Sequence, residues 1–300
     1  MIQDLTIIIV TYKTNHKILA DCIDSIDKEV KILIVENSNE LNFKRNLEKE
    51  YKNVTVILSG KNLGYGAGNN LGFKNISTRY GLISNPDIIY HKDFFKNITN
   101  YISGKINFSI IGVSYFEDEA NLPYGSFDNK KDYKLKLQDY DAYNLKEVDW
   151  VVGCSLLLDT KNLDKNDLFD ENYFLYFEEI DLCRKVKSKY GNIFNSSILK
   201  VKHLGHQGSA ATDPSYSIET EMFRNWHWMW SSFYYHKKHN NYFTAIIKMS
   251  GKFIKSILKF FIFTVFYDKK KQTMYFARFY GIFCSMIGLK SFYRVKSLFD

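Results

Sequence analysis

Very little in this sequence would interrupt the chain, staple it or carry it through a bilayer. Only three prolines occur in 300 residues, so forced breaks are few. Cys22, Cys154, Cys183 and Cys284 lie far apart with no C-x-x-C pair, which excludes a zinc knuckle or dithiol redox motif and makes a reducing compartment the simplest setting. The first residues, Met1 to Val10, carry Asp4 and no basic n-region, so they do not read as a signal peptide. The N-x-S/T sequons beginning at Asn53, Asn75, Asn97, Asn107 and Asn195 are then chance matches in a cytoplasmic protein. In the C-terminal tail the longest stretches free of Lys, Arg, Asp and Glu are Asn225 to His236, twelve residues, and Phe279 to Leu289, eleven. A membrane span takes about 20.

What is present suits a folded core. Hydrophobic residues make up 45% and aromatics 17%, which excludes a disordered or fibrous chain. The net charge of +8 is unevenly placed: Ser231 to Asp300 holds thirteen Lys or Arg against Asp268 and Asp300, leaving the first 230 residues at −3. The basic excess belongs to the tail.

Leu5 to Val10, Lys31 to Val35, Val54 to Leu58 and Tyr80 to Ser84 are apolar, β-branched runs of strand length, the first three each followed by helix-compatible sequence. The alternation predicts βαβ units on a parallel sheet, with ligands beyond the carboxyl ends of its strands. Those ends carry Thr11-Tyr12, Glu36-Asn37-Ser38-Asn39, Asn62 with a glycine-rich loop, and Asn85-Pro86-Asp87. Further strands are expected at Ser109 to Val113, at Trp150 to Leu158 with Gly153 near its centre, and at Ile198 to Val201 just before His203. A helix is expected within Tyr173 to Tyr190, and a loop shaping the acceptor side within Ile106 to Asp149. A boundary near 210–220 divides the chain into 1–215 and an aromatic, basic, helical extension, 216–300.

The ordered set Ile7–Tyr12, Ile34–Ser38, Asn62–Asn70, Ser84–Asp87 and Phe174–Arg184, spread over roughly Ile7 to Ser209, resembles family 2 glycosyltransferases, most of all the rhamnosyltransferases of O-antigen and cell-wall assembly. Any one motif is weak; the set in order is specific. The resemblance implies a GT-A-type α/β fold, with a mostly parallel sheet flanked by helices and a helical C-terminal extension. It also implies an inverting, metal-dependent hexosyl transfer from a nucleotide-sugar donor.

Asp87 stands where the family's D-x-D motif has its metal-binding aspartate, with Asn85 in the position of the other carboxylate. Alone, Asn85-Pro86-Asp87 also reads as a turn that caps a helix. A hard cation, Mg²⁺ or Mn²⁺, prefers oxygen ligands and can bridge two phosphates. Glu178, Glu179 and Asp181 gather at a helix start, where anions are favoured by the dipole whatever their further role. The resemblance makes Glu179 the general base, in a position usually held by Asp, with Glu178 and Asp181 supporting it. His203 is implied as a further metal ligand, with His206 the fallback. Thr11, Tyr12, Glu36, Asn62, Gly66, Asn69, Asn70 and Asn85 are implied nucleotide contacts. The glycine-rich loop lacks the G-K-S/T of a Walker A motif.

The expected donor is dTDP-L-rhamnose, the alternative a UDP-sugar carrying galactose, galactofuranose or N-acetylglucosamine. The expected acceptor is a glycan on polyprenyl diphosphate. The tail's lysines and aromatics suit a helix lying in a membrane interface, at the inner face of the cell membrane; an ordinary extension packed on the core is the competing reading. A nucleic-acid partner is opposed by the acidic first 230 residues. A non-catalytic nucleotide-binding scaffold is opposed by the joint presence of Asp87, Glu179 and His203.

Overall fold

The computed structural model describes residues 1–116, 123–127, 140–205 and 218–294. The chain gathers into two compact units, Met1–Asp170 with Glu179–Ala210, and Glu171–Glu178 with Ala211–Asp300.

The first unit runs β1 (Leu5–Thr11), α1 (His16–Asp24), β2 (Lys31–Glu36), α2 (Leu41–Glu50), β3 (Val54–Leu58), α3 (Tyr65–Lys74), β4 (Tyr80–Ser84), β5 (Ile88–Tyr90), α4 (Phe94–Ile102), β6 (Ile110–Tyr115), β7 (Tyr124–Gly125), β8 (Leu145–Glu147), β9 (Trp150–Val151), β10 (Ser155–Asp159), α5 (Glu178–Lys189) and β11 (Ile193–His203). The main sheet has the order β3-β2-β1-β4-β10-β6-β11-β5, with β8 also on β11. Pairing is parallel from β3 to β4 and between β6 and β11, antiparallel elsewhere. Because β10 runs against both β4 and β6, the carboxyl ends of β1, β2, β3, β4, β6 and β11 all emerge at one edge.

Burial on both faces explains the unbroken apolar strands. Ile7, Ile9, Ile34 and Leu82 pack toward Leu19 and Ile23 of α1, Leu47 of α2 and Ile98 of α4. Ile8, Leu33 and Ile83 face the opposite side, with Phe73 of α3 and Leu182 and Val186 of α5. Asn15 caps α1 by accepting from the backbone N–H of Lys17 and Ile18. That is how the chain turns immediately after β1.

Two expected elements differ from those observed. The strand Trp150–Leu158 is two strands, broken where Gly153 and Cys154 send their carbonyls to other elements. The helix expected within Tyr173 to Tyr190 is Glu178–Lys189, starting at its carboxylates because Tyr176 and Phe177 have φ of 68° and 71°. Left-handed backbone cannot continue a right-handed helix. The last strand runs eleven residues, with a bulge between Asn195 and Lys200 that hid its first half from the alternation pattern. Much of the expected acceptor-side loop lies at 117–122 and 128–139, outside the described residues, and so does most of the 210–220 boundary.

The second unit contains α6 (Ile218–His239), α7 (Tyr242–Val265) and α8 (Lys269–Met286). Met229 and Phe233 of α6, Ala245 and Met249 of α7, and Ile282 of α8 form one buried cluster. Trp226, Trp230, Ala277 and Cys284 form another. At Gly281 an added Cβ would stand 2.4 Å from the Trp226 carbonyl oxygen, so only glycine lets α8 come this close to α6. His227 is fully buried, its Nε2 2.9 Å from the Tyr293 carbonyl and its Nδ1 3.0 Å from Ser291 Oγ. Burial, with the nearby Arg294 charge, depresses its pKa to about 3, so the ring is neutral. Phe174 and Leu175, from the segment before α5, join Phe223 in this unit's apolar interior. No described helix is long and apolar enough to cross a membrane.

Candidate active site

The polar edge of the sheet is built outward from β1 and β2. Thr11 pairs with Glu36 across them, and its hydroxyl donates to one oxygen of the Glu36 carboxylate. The other oxygen accepts from Ser38 through both its backbone N–H, at 2.6 Å, and its hydroxyl. Glu36 is buried and serves its neighbours. Asn37 extends the scaffold by donating to the Gly64 carbonyl at 3.2 Å, which ties β2 to the glycine-rich loop.

In that loop Asn62 Oδ1 accepts from the Gly64 N–H at 2.9 Å. Gly64 has φ of 84°, a conformation that favours glycine, and α3 starts immediately after it. Gly66, Asn69 and Asn70 are buried in α3. Asn70 bonds the Phe169 backbone from both ends of its amide, at 2.9 Å each, and Asn69 donates to the Tyr65 carbonyl. Asn70 thereby ties α3 to the Phe169 backbone, whereas the Asn69 bond stays within the helix. Tyr12, Asn62 and Asn85 are partly exposed at the same edge.

Beyond β4 the chain brings together two residues far apart in sequence. Ile88 pairs with His203 where β5 lies antiparallel to β11, and the Leu204 N–H donates to the Asp87 carbonyl at 3.0 Å. His203 Nε2 then lies 3.4 Å from Asp87 Oδ1, with the carboxylate buried and the imidazole partly exposed. A carboxylate oxygen beside an imidazole nitrogen suits a divalent cation. Among the described residues no group of three or more His, Cys, Asp and Glu is assembled.

Glu179 enters from the first turn of α5. It is half-buried, and burial pushes its pKa above the usual carboxylate range, against the pull of its own and Ile180's backbone N–H groups. Glu178 and Asp181 are buried on the same helix. Gly153 lies beside Glu179: an added Cβ there would be 3.2 Å from Glu179 Cβ and 3.3 Å from its Cγ. The Gly153 carbonyl accepts the Tyr65 hydroxyl, and the Cys154 carbonyl accepts the Asn85 N–H at 2.8 Å. One short loop therefore joins the glycine-rich helix, the turn that leads to Asp87, and Glu179.

Sequence reasoning did not single out Tyr65, Asn37 or the Gly153–Cys154 loop. A lone glycine inside an apolar strand was the available signal, since it commonly marks a close approach of other groups to the backbone. His206 lies outside the described residues.

Comparison with known proteins bears on the family and the fold. The family model for glycosyl transferase family 2 matches residues 6–154. The low-salt glycan biosynthesis hexosyltransferase Agl10 of Haloferax volcanii is 25% identical over 235 residues, covering 75% of each chain. The rhamnosyltransferase WbbL of Escherichia coli is 26% identical over 190 residues, which is 57% of this chain and 71% of WbbL. Among solved structures, the mannosyltransferase PcManGT from Pyrobaculum calidifontis, in complex with GDP-Man and Mn²⁺, superposes with a TM-score of 0.54 at 11% identity, over 94% of this chain and 87% of that one. At that identity the likeness establishes the fold.

Proposed function

The chain belongs to glycosyl transferase family 2, and from that premise we propose that it is an inverting, metal-dependent hexosyltransferase acting on a lipid-linked glycan. The observation that carries the reading is the gathering of the Asp87–His203 pair, the half-buried Glu179 and the Asn62 loop at one edge of one sheet. The favoured donor is dTDP-L-rhamnose, supported by the rhamnosyltransferase among the relatives. A UDP-sugar is the alternative.

Glu179 takes the proton of the acceptor hydroxyl as that oxygen bonds to the anomeric carbon, while the bond from that carbon to the nucleoside diphosphate breaks on the opposite face. A single base with no second nucleophile gives inversion. The raised pKa of Glu179 suits the role, since a base works best when its pKa lies closer to the operating pH. Glu178 and Asp181 support the start of α5. Tyr12, Asn62 and Asn85 would meet the nucleotide, while Thr11, Glu36, Gly66, Asn69 and Asn70 shape its floor. Asp87 and His203 would hold Mg²⁺ or Mn²⁺, which when bound supplies positive charge for the departing diphosphate.

A donor screen tests the proposal. Pure protein with Mg²⁺ or Mn²⁺ is incubated with dTDP-rhamnose, UDP-galactose, UDP-galactofuranose and UDP-N-acetylglucosamine, and both binding and slow hydrolysis are recorded. Selective use of dTDP-rhamnose is expected. Selective use of a UDP-sugar moves the donor to the alternative, and failure to bind any of them removes the transferase reading.

A further inference from the structure

Of the twenty exposed large apolar side chains among the described residues, ten lie between Tyr242 and Tyr267. They are ordered. Ala245, Met249 and Ser256 mark the buried face of α7, whereas Phe243, Ile247, Ile254, Leu258, Phe261 and Val265 are all exposed, Phe243 by 75% and Ile247 by 74%. At about 100° per residue these six fall within about 60° of one another, a continuous stripe along the helix. Lys248, Lys252 and Lys255, all exposed, form a row farther round the helix, Lys259 being turned to the Tyr275 hydroxyl at 3.0 Å, and α7 contains no Asp or Glu. The stripe continues past the helix end into Phe266 and Tyr267, the latter 93% exposed, and after Asp268 come Lys269, Lys270 and Lys271, the last paired with Asp268 at 2.8 Å.

A helix normally turns its apolar face inward; α7 has an inward face and a second apolar face in water. We propose that this second face docks in the headgroup layer of an anionic lipid bilayer, with α7 lying in the membrane plane and its lysine row on the lipid phosphates. The geometry is that of an in-plane helix: apolar on one side, cationic along the border, and on a chain where no described helix is long and apolar enough to span. Charge selects among occupants. A second copy of the face would set lysine row against lysine row, and an anionic surface neutralises both the row and the lysines at the turn. The inference rests on the proposed lipid-linked acceptor for its purpose, since an enzyme held in the membrane plane meets such an acceptor by diffusion in that plane.

Its test uses neither donor nor acceptor. The full chain is floated with vesicles of phosphatidylcholine alone, or of phosphatidylcholine with phosphatidylglycerol. Strong binding to the second kind is expected, and raising the salt should release only part of it, because burial of the stripe is not screened. Phe243→Gln with Leu258→Gln, Phe261→Gln and Val265→Gln should lower binding by about tenfold or more while leaving circular dichroism and Tm unchanged, since all four side chains are exposed. Lys248→Gln with Lys252→Gln and Lys255→Gln should remove the preference for phosphatidylglycerol. Unchanged binding in the first variant overturns the proposal, as does failure of the wild-type chain to float with either vesicle. A wild-type dimer that the same four substitutions dissociate, without vesicle binding, overturns it in favour of a second copy. Donor hydrolysis measured on these variants stays at the wild-type rate, which separates loss of docking from any failure of the transferase reading.

Discussion

In the first unit the sheet buries its apolar residues on both faces and sets its candidate site residues at one edge. In the second, the helices keep a neutral histidine inside and leave apolar side chains in water. Of the twenty exposed large apolar residues, sixteen belong to the second unit, although it is the smaller one. Burial also acts in opposite senses on one group in each: it raises the pKa of Glu179 and lowers that of His227. The contrast teaches that the same desolvation keeps a proton on a partly open carboxylate to higher pH and keeps one off a sealed imidazole. The proposed chemistry and the proposed docking thus fall to separate units, and that separation can be broken experimentally.

The largest expected effect is from metal removal. EDTA should abolish transfer, Mg²⁺ or Mn²⁺ should restore it, and Asp87→Asn or His203→Ala should raise the metal concentration required by at least the roughly 10–100-fold typical of losing even an outer-shell partner. Vesicle binding by the second unit should be untouched. Full turnover in chelator would remove metal from the first unit's chemistry.

Next comes Glu179→Gln, expected to slow transfer by about 10²–10⁴ while nucleotide binding measured by calorimetry stays near wild type. The same variant should raise stability at neutral pH. A carboxyl whose folded pKa is raised contributes fully below its unfolded value, and that contribution is lost as pH rises through the folded one. The gain in Tm should vanish below about pH 4. A wild-type rate, or a Tm difference that ignores pH, would move the role off Glu179.

Gly153→Ala should act more mildly, through geometry. The new methyl group would crowd Glu179 Cβ and Cγ at 3.2 and 3.3 Å, and a shift of a few tenths of an ångström in a base is expected to cost about tenfold in kcat, with KM for the donor little changed. A rise in KM alone would show that the loop serves binding.

The smallest effect belongs to the second unit. His227 is neutral in both folded and unfolded chains above pH 6.5, so it adds no pH dependence there. As pH falls from 6.5 toward about 3, the unfolded chain takes up a proton that the buried ring refuses, and stability declines. His227→Gln should remove one proton from that slope, read from denaturation midpoints across the range. An unchanged slope would mean that the ring is hydrated and that the second unit's interior is not sealed.

The apolar runs Leu5–Val10, Lys31–Val35 and Tyr80–Ser84 were legible because strands buried on both faces must be continuously apolar, and the polar residues after them marked the binding edge. Asp87 and His203 could be named from the resemblance, but their 3.4 Å approach depends on β5 pairing with β11, and β5 is only three residues long. Gly153 was visible as an oddity within a strand; that its missing side chain makes room for Glu179 was not. Likewise the aromatic, basic tail was plain, while the division of α7 into a packed face, a lysine row and an exposed apolar stripe requires knowing which residues its neighbours cover.

The sequence by itself determined the first four strands and the helix-compatible segments between them, the apolar runs that mark buried strands, and the tail's positive charge, because these depend on residues close together along the chain. Only the tertiary structure decided which polar groups meet at the sheet's edge, that Asn70 is spent on holding α3 to the Phe169 backbone, and which face of α7 remains in water. Those outcomes depend on contacts between residues tens to hundreds of positions apart, and no local pattern encodes them.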